Sequence, residues 1–586
     1  MISNKLTELR AELRHLGVDA VIVPRADEHL GEYVPACAER LAWLTGFTGS
    51  AGLAAVTADR AAVFSDGRYI LQMQAQTDPD MWERRHMVEQ PAATWLADAG
   101  IRRVGYDPKL IAEDGLKPYA DAGLAMIALS RNPIDAIWQD QPTPPLEPAV
   151  PHPLALSGRD SAEKRADIAA TLRAQNQDAA VITDPASLAW LFNIRGDDVP
   201  FTPFALGFTL IDNTGFCTLF MEAAKLGPDT RAWLGNAVAL AEPTTLGGHL
   251  ARLAGKRVRV DSNAQPAWFA QTLRAAGAEV VGGMDPCILP KACKNEVERH
   301  GSRNAHARDA VAVVRFLHWL DTAAGHATER SAAAKLVEFR SAQDLFRGES
   351  FPAISGAGEH GAIMHYRVSP ETDRAINHNE VYLIDSGGQY ADGTTDITRT
   401  IWTGPDPVPS VIRDRFTRVL RGHIAIDSLV FPAGLCGPHI DSFARAALWQ
   451  EGLDFDHGTG HGVGSYLSVH EGPVSLSRAA RMVPLAAGMI LSNEPGFYAP
   501  GSFGIRLENL LLVREMDFAH ATKPFLGFET LSWAPFDRRM IDAAELSPAQ
   551  RQWVDHYHAR VHDMVAAHVE PEIQSWLARA CAKLEI

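Results

Sequence analysis

The residues with the clearest capacity for chemistry lie in the C-terminal half, beginning with Asp385 and Asp396 in the stretch VYLIDSGGQYADGTTDITRT (381–400). Val381 to Ile384 is a short apolar run of strand composition and Thr394 to Trp402 a second one rich in Thr and Ile. Gly387, Gly388 and Asp392-Gly393 lie between them, which predicts a hairpin. The two aspartates are about equally far from a tip near Tyr390-Ala391, so both carboxylates are expected on one face. The Asp-Gly pair falls slightly off that midpoint, which predicts a bulge. Two like charges on one face repel unless a cation lies between them.

Three later segments supply what such a cation needs. His457-Gly-Thr-Gly-His461-Gly-Val-Gly places two imidazoles where backbone can approach closely. Met489 to Glu494 is an apolar strand ending on a carboxylate, stopped by Pro495-Gly496. Gly504-Ile-Arg-Leu-Glu508 alternates, so Arg506 and Glu508 share a face. Asp385, Asp396, His461, Glu494 and Glu508 then offer four carboxylates and one imidazole, too much negative charge for one ion. Two divalent cations bridged by carboxylates balance it better, and a hard, oxygen-rich shell without thiolate favours Mn, with Zn the alternative.

These ligands, in this order and with these flanks (LIDSG, GTTDITRT, HGTGHGVG, HEGP, NEPGFY, GIRLEN), resemble those of the pita-bread metallopeptidases, in particular the long, three-domain Xaa-Pro aminopeptidases. The resemblance also takes in YVPACAERLAWLTGFTGSAG, SDGRYILQ, NPIDAIWQDQP and the tail after Trp533, hence nearly the whole chain. It implies removal of the N-terminal residue from peptides whose second residue is proline, by attack of a metal-bridging hydroxide. Two cations about 3.5 to 4 Å apart lower the pKa of a shared water enough for that. Asp396 and Glu508 would bridge, Asp385 would complete one ion, and His461 with Glu494 the other. Glu494 would also shuttle a proton to the leaving nitrogen. His365, His457 and His470 would line the substrate site, with His457 and His470 beside the scissile bond. Tyr498 and Arg506 would shape the pocket around proline. From the residues alone, His365 reads more readily as a core histidine, and Arg506 reads equally as a structural partner of Glu508.

The elements that carry these residues follow from periodicity. Leu6, Leu9, Leu13 and Leu16 recur at helical spacing before Gly17 and a strand at Val18 to Val23 that Pro24 stops. Helix Ala162 to Ala174, strand Asp178 to Thr183 and Pro185 repeat that order. Leu41-Ala-Trp-Leu44 in the first copy answers Leu188-Ala-Trp-Leu191 in the second, which predicts a duplicated α/β domain. The proline-dense stretch QPTPPLEPAVPHP (141–153) reads as a linker. One long amphipathic helix is expected over Asn295 to Ala323. The fold class is therefore α/β to α+β, with two related creatinase-type domains over 1–152 and 153–294 followed by a pita-bread catalytic domain over 295–586. The helical tail from Ser547 to Leu584, with Trp553, Tyr557, Val561 and Met564, reads as packing.

With 586 residues, 46% hydrophobic and 22% charged, the chain has the composition of a globular protein of several domains. A formal charge of −16 disfavours nucleic acid and anionic membranes as partners. The six cysteines show no C-x-x-C spacing and are expected as reduced thiols. Met1 to Leu16 lacks an apolar signal-like core, so a cytoplasmic location is expected; the resemblance adds a homodimer. Three rivals are a prolidase restricted to Xaa-Pro dipeptides, a metal-independent creatinase-like hydrolase and a non-catalytic binding module. The duplicated N-terminal half argues against the first, and the intact ligand set against the others.

Overall fold

A computed structural model describes residues 2–585. The chain divides into two compact units, Met1–Pro153 with Arg159–Ile288, and Leu154–Gly158 with Leu289–Ile586.

The first unit contains two six-stranded sheets of one design. In the first, the strands run Glu83–His86, Ala61–Ser65, Leu53–Thr57, Ala20–Pro24, Arg103–Tyr106, Ala125–Ala128. In the second they run Val238–Ala241, Cys217–Phe220, Phe208–Asp212, Ala179–Ile182, Arg257–Val260, Glu279–Gly282. Successive neighbours in both are parallel, antiparallel, antiparallel, parallel, parallel. The repeated helix, strand and LAWL order is the sequence trace of this duplication. Both LAWL strings lie in helices, Arg40–Thr45 and Pro185–Phe192. The opening helix Ile2–Leu16 buries Leu6, Leu9 and Leu13 against the first sheet's core. Leu9 is fully buried, so truncation to alanine there costs about 2 to 5 kcal/mol. Within the proline-dense stretch, Val150-Pro151 pairs with Ile194-Arg195.

The second unit contains the long helix Glu296–Ala323. Asn295 caps it by accepting from the Val297 and Glu298 amides, while Glu298 returns a bond to the Asn295 amide. Its apolar stripe packs beside strands Glu380–Ser386 and Ile397–Thr403, both buried on both faces. These two strands form a sheet with Ile354–Ala357. A second sheet joins Val430–Pro432, Phe525–Thr530, Asn509–Met516 and Ile490–Asn493 in that order. Two-stranded pairs carry the remaining site segments, Gly460–His461 with Ser475–Leu476 and Gly496–Ala499 with Phe503–Arg506. The tail folds into helices Pro548–Val565 and Pro571–Ala580, whose Tyr557, Val561 and Leu577 enter the core that holds Trp402, Phe416 and Leu507.

The aspartate hairpin differs from expectation at its tip. One register runs from Glu380↔Thr403 through Ser386↔Ile397 to Tyr390↔Gly393, so its arms contain no bulge. The turn is Ala391-Asp392, one residue beyond the expected tip, so Gly393 is not a loop residue but pairs with Tyr390 in the ladder. Arg308 of the long helix ion-pairs with Asp392 and holds the turn.

Candidate active site

Asp385 lies opposite Thr398 in the hairpin, and Asp396 is two residues from Thr398 on the same arm, so pleat alternation gives all three one face. Glu508 sits in the break between Phe503–Arg506 and Asn509–Met516. Its amide donates to Thr398 O at 3.2 Å, and its Oε2 accepts from Thr398 Oγ1 at 2.7 Å. Glu494 follows strand Ile490–Asn493, its amide donating to Thr459 O at 2.8 Å. Ser492 Oγ accepts from the His461 amide at 2.9 Å and donates to Glu494 Oε1 at 3.2 Å, which fixes these two groups relative to each other.

The glycines around His461 are required by close approach. A Cβ at Gly460 would collide with the Ser492 carbonyl oxygen, and one at Gly462 with that of Glu471. His461 Nδ1 lies 3.0 Å from Gly462 O and donates to it, which leaves Nε2 3.5 Å from Asp396 Oδ2 and 3.6 Å from Glu494 Oε1. One ligand atom from each of Asp396, His461 and Glu508 lies within 4.8 Å of the other two.

The electrostatics of this cluster are those of excess negative charge. Burial pushes Asp385 up to about 7 against the pull of Arg506, with Asp396 and Glu494 adding to the rise. Burial likewise raises Glu494, against the pull of His461 and Arg506. Burial and the charges of Asp396 and Asp385 push Glu508 well above the usual carboxylate range. Burial opposes protonation of His461, but the contact with Asp396 and the charge of Glu494 outweigh it and raise the ring to about 9. Asp385 Oδ1 and Asp396 Oδ1 are buried without a hydrogen-bond partner among the described residues. Donor-free carboxylate oxygens beside an imidazole whose far nitrogen is anchored to a carbonyl fit hard divalent cations.

Arg506 is almost fully buried and its carboxylate partner is Asp385, not Glu508. Its guanidinium donates to Asp385 Oδ2 at 2.7 Å, to Tyr498 Oη at 2.8 Å and, more weakly, to Thr398 Oγ1 at 3.3 Å and Met364 O at 3.4 Å. Tyr498 Oη in turn lies 2.8 Å from His457 Nε2, and His457 Nδ1 lies 2.8 Å from Gly458 O. With Nδ1 donating to that carbonyl, the neutral ring accepts the tyrosine proton. Burial lifts the Tyr498 hydroxyl to about 12. His470 is exposed, its ring perpendicular to that of His461 at 4.3 Å between centroids. His365 is half-buried between Met364, whose carbonyl meets Arg506, and Tyr366, whose hydroxyl donates to Glu329 at 2.9 Å.

Several supporting residues escaped the sequence reading. Thr398 carried a usable signal, since it lies two residues from Asp396 and therefore on its face. Glu471 is next to His470 and almost fully buried; Lys294 Nζ lies 2.5 Å and Lys291 Nζ 3.4 Å from its carboxylate oxygens. Glu329 is fully buried and accepts from the Ala357 amide and Tyr366 hydroxyl as well as meeting the His360 ring. Nothing in the local sequence marks those partnerships.

The profile of metallopeptidase family M24 matches residues 300–515, and that of the C-terminal region of peptidase M24 matches 524–584. Two profiles of the creatinase/prolidase N-terminal domain match 5–121 and 140–298. A probable Xaa-Pro aminopeptidase P of Aspergillus fumigatus is 38% identical, over 99% of this chain and 93% of that protein. The crystal structure of an X-prolyl aminopeptidase of Caenorhabditis elegans, described as a cytosolic enzyme with a di-nuclear active site, superposes with a TM-score of 0.93 at 32% identity and covers 100% of both chains. A dipeptidase of Mycobacterium ulcerans superposes with a TM-score of 0.52 at 27% identity, over 64% of this chain and 96% of that one.

Proposed function

The chain belongs to metallopeptidase family M24, and from that membership and the geometry above we propose that it is an Xaa-Pro aminopeptidase, releasing the N-terminal residue from peptides with proline in second position. The observation that carries this reading is coverage. The aminopeptidase likeness extends over the whole chain, including the duplicated α/β half, whereas the dipeptidase likeness covers 64% of it. That difference disfavours the prolidase alternative.

Asp385, Asp396, His461, Glu494 and Glu508 are the residues we assign to two divalent cations. Their oxygen-rich, thiolate-free character favours manganese, with zinc second. Such a pair, when bound, supplies Lewis acidity and a hydroxide source at neutral pH. The chain's own residues do the rest. Thr398 holds the Glu508 carboxylate, and the Gly462 carbonyl aims His461. Glu494 is assigned to carry a proton at its carboxylate to the proline nitrogen, a tertiary amide that has no N–H of its own to be gripped. His365, His457, His470, Tyr498 and Arg506 are assigned to the substrate. Arg506 spans Asp385 and Tyr498, so it links the ligand set to the His457 side of the pocket.

The three-domain division 1–152, 153–294 and 295–586, a homodimer and a cytoplasmic location belong to the same proposal. The cytosolic C. elegans neighbour supports the last, and among the described residues no helix is long and apolar enough to cross a membrane. The deciding experiment re-supplies metal-stripped protein with Mn or Zn. It offers an Xaa-Pro-Xaa peptide, the same peptide with Ala for Pro, and an Xaa-Pro dipeptide. Cleavage of the first with loss of the Ala control is expected; cleavage of the dipeptide alone would make the protein a prolidase.

A further inference from the structure

Arg399 is a fully buried cation that forms no ion pair among the described residues. Three residues after Asp396, on the opposite face of the strand, it points away from the ligands into the back of the site. Its Nη1 donates to Thr398 O at 2.8 Å and to Glu508 O at 2.7 Å. Nη2 reaches Asn509 Oδ1 at 2.9 Å, Ala534 O at 2.8 Å and Tyr557 Oη at 2.7 Å, and the guanidinium lies 4.4 Å from the centre of the Phe536 ring. A single guanidinium thus joins the main chain before it on the Asp396 arm to the main chain of Glu508. An isolated buried charge is costly unless its donors are satisfied. Here carbonyl oxygens and the Tyr557 hydroxyl satisfy them.

Tyr557 holds that guanidinium from behind. It comes from the tail helix Pro548–Val565 and is stacked between Trp533, at 5.3 Å and 22°, and Trp553, at 5.2 Å and 8°. Its hydroxyl lies 3.0 Å from Ser532 O and accepts from Arg399 and from the Ala534 amide, the latter at 3.2 Å. The ring cannot move without unstacking, and its oxygen fixes where the guanidinium sits.

We propose that Arg399 and Tyr557 are positioning residues for the metal ligands: the tail helix, through Tyr557, sets the guanidinium that locks Glu508 to the Asp396 strand. This gives the tail, which reads from sequence as packing, a part in the reaction, and it rests on the assignment of Asp396 and Glu508 as ligands.

The test uses full-length protein with Tyr557→Phe, which keeps the stacked ring and removes only the oxygen, and Trp553→Phe as a packing control. Mn(II) is titrated into metal-stripped protein by calorimetry, Co(II) absorption is recorded as a report on ligand geometry, and metal-free unfolding and kcat and KM are measured. Tyr557→Phe is expected to weaken metal binding about 10-fold or more, to change the Co(II) spectrum and to lower kcat with KM little altered, while metal-free unfolding stays within a few degrees of the parent. Unchanged metal binding and Co(II) spectrum would overturn the proposal. So would losses that merely follow stability and occur equally in Trp553→Phe. If Tyr557→Phe does not fold, Arg399→Lys, which keeps the charge but cannot span Thr398 O and Glu508 O together, is read by the same criteria. Failure of the parent protein itself to bind two ions would remove the ligand assignment, a result distinct from either.

Discussion

Arg506 and Asp385 are 121 residues apart in sequence and 2.7 Å apart in space, and the arginine's other nitrogen meets Tyr498 Oη at 2.8 Å. A buried guanidinium with two such partners orients both by its planar fork. Lysine, a point charge on a flexible stem, cannot. Arg506→Lys is expected to lower kcat/KM about 100-fold, equivalent to about 3 kcal/mol. Steady-state kinetics at saturating metal check this; a loss under threefold would show that charge alone suffices.

Thr398→Val keeps the side-chain shape and removes the hydroxyl that donates to Glu508 Oε2 at 2.7 Å. Metal affinity is expected to fall about 10-fold, with little change in the unfolding temperature of metal-free protein. Calorimetric titration with Mn(II) measures it.

Metal removal should abolish cleavage of an Xaa-Pro-Xaa peptide and lower the unfolding temperature, because Asp385, Asp396 and Glu508 are left buried and facing one another. Re-addition of metal should restore both. Full activity after exhaustive chelation would refute the ligand assignment.

Lys294→Met breaks a buried ion pair whose side chains are 2% and 1% exposed. Glu471 then keeps the longer contact to Lys291, at 3.4 Å. Leaving a buried charge underpaired costs about 3 to 5 kcal/mol, so a clear drop in denaturation midpoint is expected. Because Glu471 is bonded along the chain to His470, KM for peptide should rise as well.

Three buried histidines set an acid limit. Burial, assisted by nearby arginines or lysine, depresses His152 to about 2, His423 to about 3 and His558 to about 3. Each takes up its proton near 6.5 when unfolded but only near 2 to 3 when folded, so below about 6.5 the unfolded chain binds more protons. Their contribution is fully present above that pH. It is lost as pH falls toward 3, by up to about 1.4 kcal/mol per pH unit for each group. Denaturation midpoints from pH 7 to pH 4 should fall accordingly, and His558→Gln should flatten the slope.

Much of the site could be read from one dimension because its ligands sit on strands or at their ends, where a period of two fixes facing. Asp385 and Asp396 announced themselves that way, as did Glu508 through its alternation with Leu507. The hairpin tip was displaced by one residue because apolar composition alone marks strand ends poorly, while the constant register counts them. Partnerships across long separations left no local mark: Arg506 to Asp385, Lys294 to Glu471 and Arg399 to Tyr557 each join segments with no shared periodicity. Tyr557 looked like packing because its ring is packing; only its oxygen does otherwise.

The twin sheets of the first unit pose a problem of timing for a growing polypeptide. Strands with the same order and partners can be exchanged between copies, and such mix-ups are a common hazard for tandem modules. The first sheet ends at Ala128 and the second begins at Ala179, so a chain leaving the ribosome can close one before a competing strand emerges. Refolding from denaturant, which frees all twelve strands at once, forfeits that advantage and should recover less native protein than synthesis does.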